Sequence, residues 1–199
     1  LNQAGSTNPK IEDRAKQLNK PFTPSGFPVE LYSLSGKTGA QMRATVTEFG
    51  PVLLAKILEL NDTQTGVLAV IFKYADDNKM PIVDLNDLKK LLGYLSEGAG
   101  AAEIKSSYGS ISTATSSTIL RKIVAIEQQG LGGMFGETSY DIEDLFNRVD
   151  GKGVISLLNI ADVQNQPVLY STFLLSLLAE IYQTMPEAGD LDKPKLVFF

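Results

Sequence analysis

The spacing of apolar residues predicts that the middle of the chain is mostly helical. Apolar positions recur every three or four residues, and capping residues or glycines stand at the ends of these stretches. The stretch 64–74 is apolar nearly all round, so we expect that helix to be buried. The predicted helices are 51–60 after Gly50, 64–74 capped by Asp62 and Thr63, a leucine-rich helix after Asp84, 112–129, and a short helix from Asp141 to Arg148.

Strand patterns flank this helical region on both sides. Apolar and polar residues alternate along 29–34, and this stretch is bounded by Pro28 and Gly36. The pattern predicts a strand that ends in a turn. Residues 154–160 form a continuous apolar run, followed by a predicted helix at 167–185 and a second apolar run at 196–199. We interpret this order as a β-α-β unit whose parallel strands are covered by helices on both faces.

Two glycine-rich stretches separate the predicted helices. Residues 98–109 are small and predict a flexible segment. Residues 130–138 contain four glycines, and we expect a mobile loop there rather than a packed element.

The elements together predict an α/β fold with a largely helical insertion. Residues 1–28 are polar and are interpreted as a connector with a short amphipathic helix near 11–18. Residues 29–50 hold the first strand and an extended segment, 51–150 the helical insertion, and 151–199 the β-α-β unit.

The apolar strand predicted at 195–199 stops at the last residue. Ligand sites of open α/β sheets lie just beyond the carboxyl ends of the strands, and an uncovered apolar strand exposes its edge to other chains. We therefore expect the chain to be a segment of a larger domain, inactive by itself.

Composition narrows the function further. The net charge is −5 with a pI near 4.8, so charge gives no indication of DNA binding. Cysteine and histidine are both absent, which excludes thiolate sites and histidine-dependent catalysis within the chain, and the lack of cysteine favours the cytoplasm. The longest apolar run, 168–181, is interrupted by polar residues, so no membrane helix is expected.

One short string has the chemistry of a phosphate-binding loop. Ser35-Gly36-Lys37-Thr38 matches the last positions of that motif, but Leu31 stands where its first glycine is needed. A turn at the end of a strand is the preferred interpretation.

Other charged residues are weaker candidates. Arg43 lies among apolar neighbours and is expected to pair with a fixed anionic group rather than with a nucleotide. Lys152, between two glycines, is interpreted as part of a plain turn. The acidic pairs at 76–77, 143–144 and 190–192 are interpreted as solvated caps rather than magnesium ligands. Catalytic, nucleotide-binding and metal-binding residues therefore remain unassigned.

Several strings, in order along nearly the whole chain, give it a family resemblance. The sequence resembles the bacterial HerA-like, YjgR-type ATPases, a branch of the FtsK/HerA group of P-loop motor proteins. The strings are Met42-Arg43-Ala44-Thr45-Val46, Asn61-Asp62-Thr63-Gln64 with Gly66-Val67-Leu68, Glu127-Gln128-Gln129-Gly130, Phe135-Gly136-Glu137, Gly153-Val154-Ile155, Leu169-Tyr170 with Thr172-Phe173-Leu174-Leu175, and Leu191-Asp192-Lys193-Pro194-Lys195-Leu196-Val197-Phe198-Phe199.

The resemblance implies that the chain is part of a P-loop NTPase sheet of the RecA/HerA type. It places the chain between the phosphate-binding Walker A motif and an acidic Walker B sequence directly after Phe199. The parent is then expected to hydrolyse ATP with Mg²⁺ and to assemble into a homo-oligomeric ring, with action on DNA left open. The resemblance assigns no catalytic residue of the family to a named position of this chain.

A function of another class stays open beside this one. The chain can be a non-enzymatic oligomerisation or protein-interaction module, with residues 51–130 contacting neighbouring subunits. The predicted helix 64–74 motivates this alternative, because it needs cover on every side.

Overall fold

The computed structural model describes residues 1–161, 163–185 and 187–199. It is built mainly from α-helices, with a small parallel sheet and one short hairpin. The helices are α1 (Pro9–Gln17), α2 (Val46–Ile57), α3 (Asp62–Asp77), α4 (Leu85–Ser96), α5 (Ala101–Ser107), α6 (Thr113–Gln128) and α7 (Pro167–Thr184). The strands are β1 (Val29–Ser33), β2 (Ala40–Gln41), β3 (Arg148–Val149), β4 (Lys152–Gly153) and β5 (Ile155–Asn159), and 3₁₀ turns cover Gly132–Met134 and Ile142–Phe146.

The sheet confirms the predicted α/β class. Its strands are parallel in the order β2-β1-β5, and β1 pairs with β5 along its whole length, from Val29 opposite Ile155 to Ser33 opposite Asn159. The β3-β4 hairpin leads directly into β5. The strands predicted at 29–34 and 154–160 are therefore neighbours, although a long helical region separates them in sequence.

The helix boundaries follow from side chains that cap their first turns. Thr45 and Glu48 form a reciprocal capping box at α2, and Asn61 and Gln64 form another at α3. The predicted caps of α3, Asp62 and Thr63, are wrong by one or two positions. Asp84 caps α4 and Ser112 caps α6; the first was predicted as such, and the second lies at the predicted start of its helix.

The first turn of α2 is separated from the rest of that helix by a break at Gly50. The φ of Gly50 is 74°, which glycine adopts without steric cost, and Pro51 then starts the regular helix. The predicted helix start at residue 51 is thus confirmed, preceded by a helical turn that the sequence did not indicate.

Buried side chains from the helical region and from the sheet form one continuous hydrophobic cluster. Leu34, directly after β1, belongs to it together with Ile71 of α3 and Phe173 of α7. Helix α7 packs on α2, while α6 packs on α3 and α4. Residues 51–150 and the flanking core region both contribute to this cluster, so the cluster does not separate them. The division into a core and a helical insertion at 51–150 stays a prediction.

The segment 98–109 is not the flexible stretch that its small residues predict. It contains α5, whose Ile104 is buried. Two tyrosines fix this helix on α3, because Tyr74 donates to Glu103 and Tyr108 donates to Asp77. These contacts join residues that are far apart in the sequence. They stabilise a segment whose own composition favours disorder.

The glycine-rich segment 130–138 is packed, so the predicted mobile loop is also wrong. Leu131, Met134 and Phe135 are buried. The Ala44 amide donates to the carbonyl of Met134 at 3.0 Å, and the Gly136 amide donates to the carbonyl of Ala44 at 3.1 Å. The apolar residues between the glycines anchor the segment in the core.

The predicted strand at 196–199 is absent from the structure. Val197, Phe198 and Phe199 are exposed and pair with no strand among the described residues. A strand that is apolar on both faces needs a paired neighbour and cover on each face, and nothing in the described part of the chain supplies these to the tail. Helix α7, predicted at 167–185, is confirmed.

Candidate functional site

A cleft of about 380 Å³ lies where four separated segments meet. Its walls come from Arg43 just after β2, the start of α4, the end of α6 and the glycine-rich segment. The lining residues are Arg43, Val83, Asp84, Leu85, Asn86, Glu127, Gly132, Gly133, Phe135, Gly136 and Glu137. A volume of this size is in the range of small-molecule pockets.

Among the described residues that line this cleft, Arg43 is the one basic residue, and it is held by three hydrogen bonds. Its Nε and Nη2 donate to Oε1 of Gln41 at 3.2 and 3.0 Å, and its Nη1 donates to the carbonyl of Glu137 at 2.9 Å. No carboxylate lies within ion-pair distance of it among the described residues. The expected anionic partner of Arg43 is therefore not found; neutral oxygens hold it instead.

Gln41 positions the guanidinium by joining two loops. Its Nε2 donates to the carbonyl of Leu34 at 3.0 Å while its Oε1 accepts from Arg43. A Cβ added to Gly36 or to Gly133 would lie 3.2 Å from the Gln41 side chain, so glycine at both positions lets the backbone approach it closely. These contacts fix the direction of the Arg43 guanidinium.

The acidic residues of the cleft are mostly occupied by structural contacts. Glu127 accepts from Nζ of Lys89 through both carboxylate oxygens, at 2.8 and 2.9 Å, and this pair joins α6 to α4. Asp84 accepts from the amide of Asp87 through Oδ1 alone. Glu137 is exposed at the rim. The cleft therefore combines one oriented cation with carboxylate oxygens that can accept hydrogen bonds.

Sequence reasoning named Arg43 but missed the cleft. The Gln41 contact had no sequence signal, because a lone glutamine two residues from an arginine is common. The strings around Arg43, Glu127 and Phe135-Gly136-Glu137, which carry part of the family resemblance, meet in this cleft.

A family comparison decides the class of this protein. The model described as Helicase HerA-like C-terminal matches residues 1–199, the whole chain. The chain belongs to the HerA-like family. Comparison with curated proteins and with solved structures found no match. The predicted HerA-like family is confirmed, while the YjgR-type branch and the position between the two Walker motifs stay predictions.

The loop with the partial phosphate-binding string has a structural role in this HerA-like chain. Residues 34–39 connect β1 to its parallel neighbour β2, and no helix follows them directly. Ser33 Oγ accepts from the Gly36 amide, and Thr38 Oγ1 accepts from Asn159 at the end of β5. Residues 34–39 thus form a connection between two strands, as the interpretation as a turn predicts.

Lys152 also has a structural role. Its Nζ donates to the carbonyl of Gly26 at 2.7 Å and lies 5.7 Å from the centre of the Phe27 ring. These contacts hold the connector against the β3-β4 hairpin. Lys152 itself lies on β4, directly after the turn at 150–151, so the interpretation of Lys152 as part of the turn is wrong by one position.

The acidic pairs do not gather into a metal site. Within residues 1–161, 163–185 and 187–199, no three acidic side chains come close enough to hold an ion. None of the helices in those ranges has both the length and the apolarity needed to cross a membrane.

Proposed function

We propose that this HerA-like chain is an internal segment of an ATP-hydrolysing motor and has no catalytic activity alone. The observation that carries the proposal is the match of the HerA-like C-terminal helicase family over all 199 residues. ATP and Mg²⁺ are then bound by the parent protein, through residues outside this chain.

The sheet supports this assignment. Strands β1, β2 and β5 are parallel, so their carboxyl ends lie at one edge. Nucleotide sites of α/β proteins form at such edges. The loop 34–39 and Asn159 lie at this edge and are joined by a hydrogen bond. The chain supplies a fixed part of the sheet, while the phosphate-binding loop comes from elsewhere.

Nucleotide binding tests the proposal. A fluorescent ATP analogue is titrated into the full-length protein and into the 199-residue chain, with and without Mg²⁺. We expect saturable binding, displaced by ATP, to the full-length protein only. Equal binding by the isolated chain, or none by the full-length protein, contradicts the proposal.

A helix surface favours a second candidate function, assembly with another copy of the chain. Val168, Leu175, Leu178 and Tyr182 of α7 are all at least 38% exposed and stand seven, three and four residues apart. This spacing puts them on one stripe about 20 Å long. The only charged residue of α7, Glu180, accepts a hydrogen bond from Tyr140.

This stripe, rather than α3, is the surface that motivates assembly. Helix α3 was expected to need cover from a partner, but Leu68, Ile71 and Phe72 are buried inside the chain.

Light scattering of the full-length protein tests whether the chain assembles with another copy through this stripe. A multimer that Leu178→Glu dissociates, and that Leu120→Glu at an exposed position of α6 leaves intact, supports it. A monomer at all concentrations contradicts it.

A further inference from the structure

We propose that two copies of the chain pair through α7, with the two helices antiparallel and Leu175 of each copy against Leu178 of the other. This inference rests on the proposed assembly through the α7 stripe and specifies its geometry. The observation that carries it is a row of exposed residues, three and four positions apart, on a helix face without charge. The row consists of Val168, Ser171, Leu175, Leu178 and Tyr182.

The spacing of this row is that of a contact between two helices. Alternating intervals of three and four residues average about 3.5, the repeat at which one helix packs along another at a crossing angle near about 20°. The row keeps these intervals from Val168 to Tyr182, over most of the length of α7. A second helix therefore fits this face better than a loop or a single inserted side chain.

The face lacks the charges that the exposed sides of other helices carry. Lys90 of α4 and Arg121 of α6 are exposed, whereas Glu180 of α7 is half-buried and accepts a hydrogen bond from Tyr140. Solvated helix faces are normally polar or charged. An uncharged face gives no electrostatic attraction to an acidic or a basic partner, and a second copy of the chain brings a face of the same kind.

The sizes of the side chains favour the antiparallel direction. When one helix is reversed about the point midway between Leu175 and Leu178, these leucines face each other across the pair and Ser171 faces Tyr182. A small residue then lies opposite a large one, so the layers fill evenly. Parallel helices would place two tyrosines in one layer and two serines in another, which crowds the first and leaves a gap in the second.

The pair has twofold symmetry, because each copy contributes the same surface. Such a contact closes at two copies, so it is distinct from a ring contact, which joins two different surfaces. Each copy contributes one helix face about 20 Å long, which is less than stable dimers usually bury. We therefore expect a weak pair that forms at high protein concentration.

Light scattering of the full-length protein with charged variants tests the pairing. Leu175 and Leu178 are 48% and 43% exposed, so we expect single charges there to leave each copy folded. Leu175→Lys and Leu178→Glu are each expected to raise the dissociation constant at least about tenfold, because a charge is then buried against a leucine. An equimolar mixture of the two variants is expected to pair again, because the introduced lysine and glutamate face each other.

A mixture of Leu178→Lys with Leu178→Glu is the matched control and is expected to stay monomeric. Opposite charges meet in that mixture only if the helices are parallel, so pairing there and not in the first mixture overturns the proposal. If the wild type assembles and neither mixture does, the antiparallel pairing is wrong while assembly stands. A wild-type protein that is monomeric throughout contradicts the assembly as well.

Discussion

Gly39 lets the chain return beside β1 after a loop of only a few residues. Its φ is 129°, and an added Cβ would lie 2.3 Å from the carbonyl oxygen of Leu31. A parallel strand usually needs a crossover of a dozen or more residues. The short return that places β2, Gln41 and Arg43 therefore depends on a backbone contact that leaves no room for a side chain.

Gly39→Ala is expected to lower the free energy of unfolding by roughly 2 kcal/mol or more, because the methyl group meets backbone that cannot move aside. Gly66→Ala is the matched control, since Gly66 is helical with open space around it. That change is expected to raise the free energy of unfolding by about 0.5–1 kcal/mol. Urea unfolding measures both, and a Gly39→Ala variant as stable as wild type contradicts the close approach of Gly39 to Leu31.

Asp77 gives the chain a pH-dependent contribution to stability. The Lys73 ammonium and then the Tyr108 hydroxyl hold the pKa of this carboxyl below its usual value. Because the folded-state pKa is the lower one, the stabilisation is present above the unfolded-state pKa, near about 4, and is lost as pH falls through the folded-state pKa.

Comparison of Asp77→Asn with Asp76→Asn isolates this effect. Both remove a negative charge from the end of α3, but only Asp77 bonds to Lys73 and Tyr108. At about pH 7 we expect Asp77→Asn to be the less stable variant by urea unfolding, with the difference shrinking below about pH 4. A difference that stays constant from neutral pH down to about pH 2.5 contradicts the assigned contacts.

Helices α4 and α6 hold two walls of the cleft, and their packing rests on a few leucines and isoleucines. Leu88 of α4 and Ile119 and Ile123 of α6 are fully buried. The Lys89–Glu127 pair joins the same two helices at the surface, with each side chain about a quarter exposed. Burial of apolar side chains contributes more than such a partly exposed ion pair.

Leu88→Ala is expected to destabilise the chain by about 2–5 kcal/mol, since it leaves a cavity between the helices. Leu120→Ala, at a position on α6 that is 40% exposed, is expected to cost less than about 1 kcal/mol. The midpoints of urea unfolding distinguish the two. Equal losses show that α4 does not pack as described.

Element types were largely predictable from sequence, and the segments 98–109 and 130–138 show why some were not. Helices α4, α6 and α7 carry strong periodicity and clear boundaries. In contrast, α5 is ordered by the Tyr74 and Tyr108 contacts, which span 29 and 31 residues in sequence and which no local pattern reveals. The same holds for Phe135, whose ring packs edge-on against Phe49 at 5.7 Å.

At the scale of the whole molecule, one sheet surface is left partly uncovered. Leu31 and Leu157 are opposite each other in the β1-β5 pairing and are 54% and 39% exposed. Parallel sheets are normally covered on both faces. The apolar pattern at 196–199 predicts a further strand, which the structure lacks. Such a pattern shows that the residues favour a buried strand, but it does not show which strand would pair with them.

These surfaces agree with the proposal that the chain is part of a larger HerA-like ATPase domain. The α7 stripe, the uncovered leucines and the exposed tail are apolar surfaces that further strands or copies of the protein can cover. The cleft at Arg43 depends only on residues inside the chain, so its formation does not require those partners.

Steady-state ATP hydrolysis by the full-length protein, with the 199-residue chain measured beside it, tests the central claim most directly. The account predicts Mg²⁺-dependent turnover by the full-length protein and none by the isolated chain. Hydrolysis by the isolated chain at the full-length rate, or no turnover by the full-length protein under any Mg²⁺ concentration, contradicts the assignment of this chain to an ATP-hydrolysing motor.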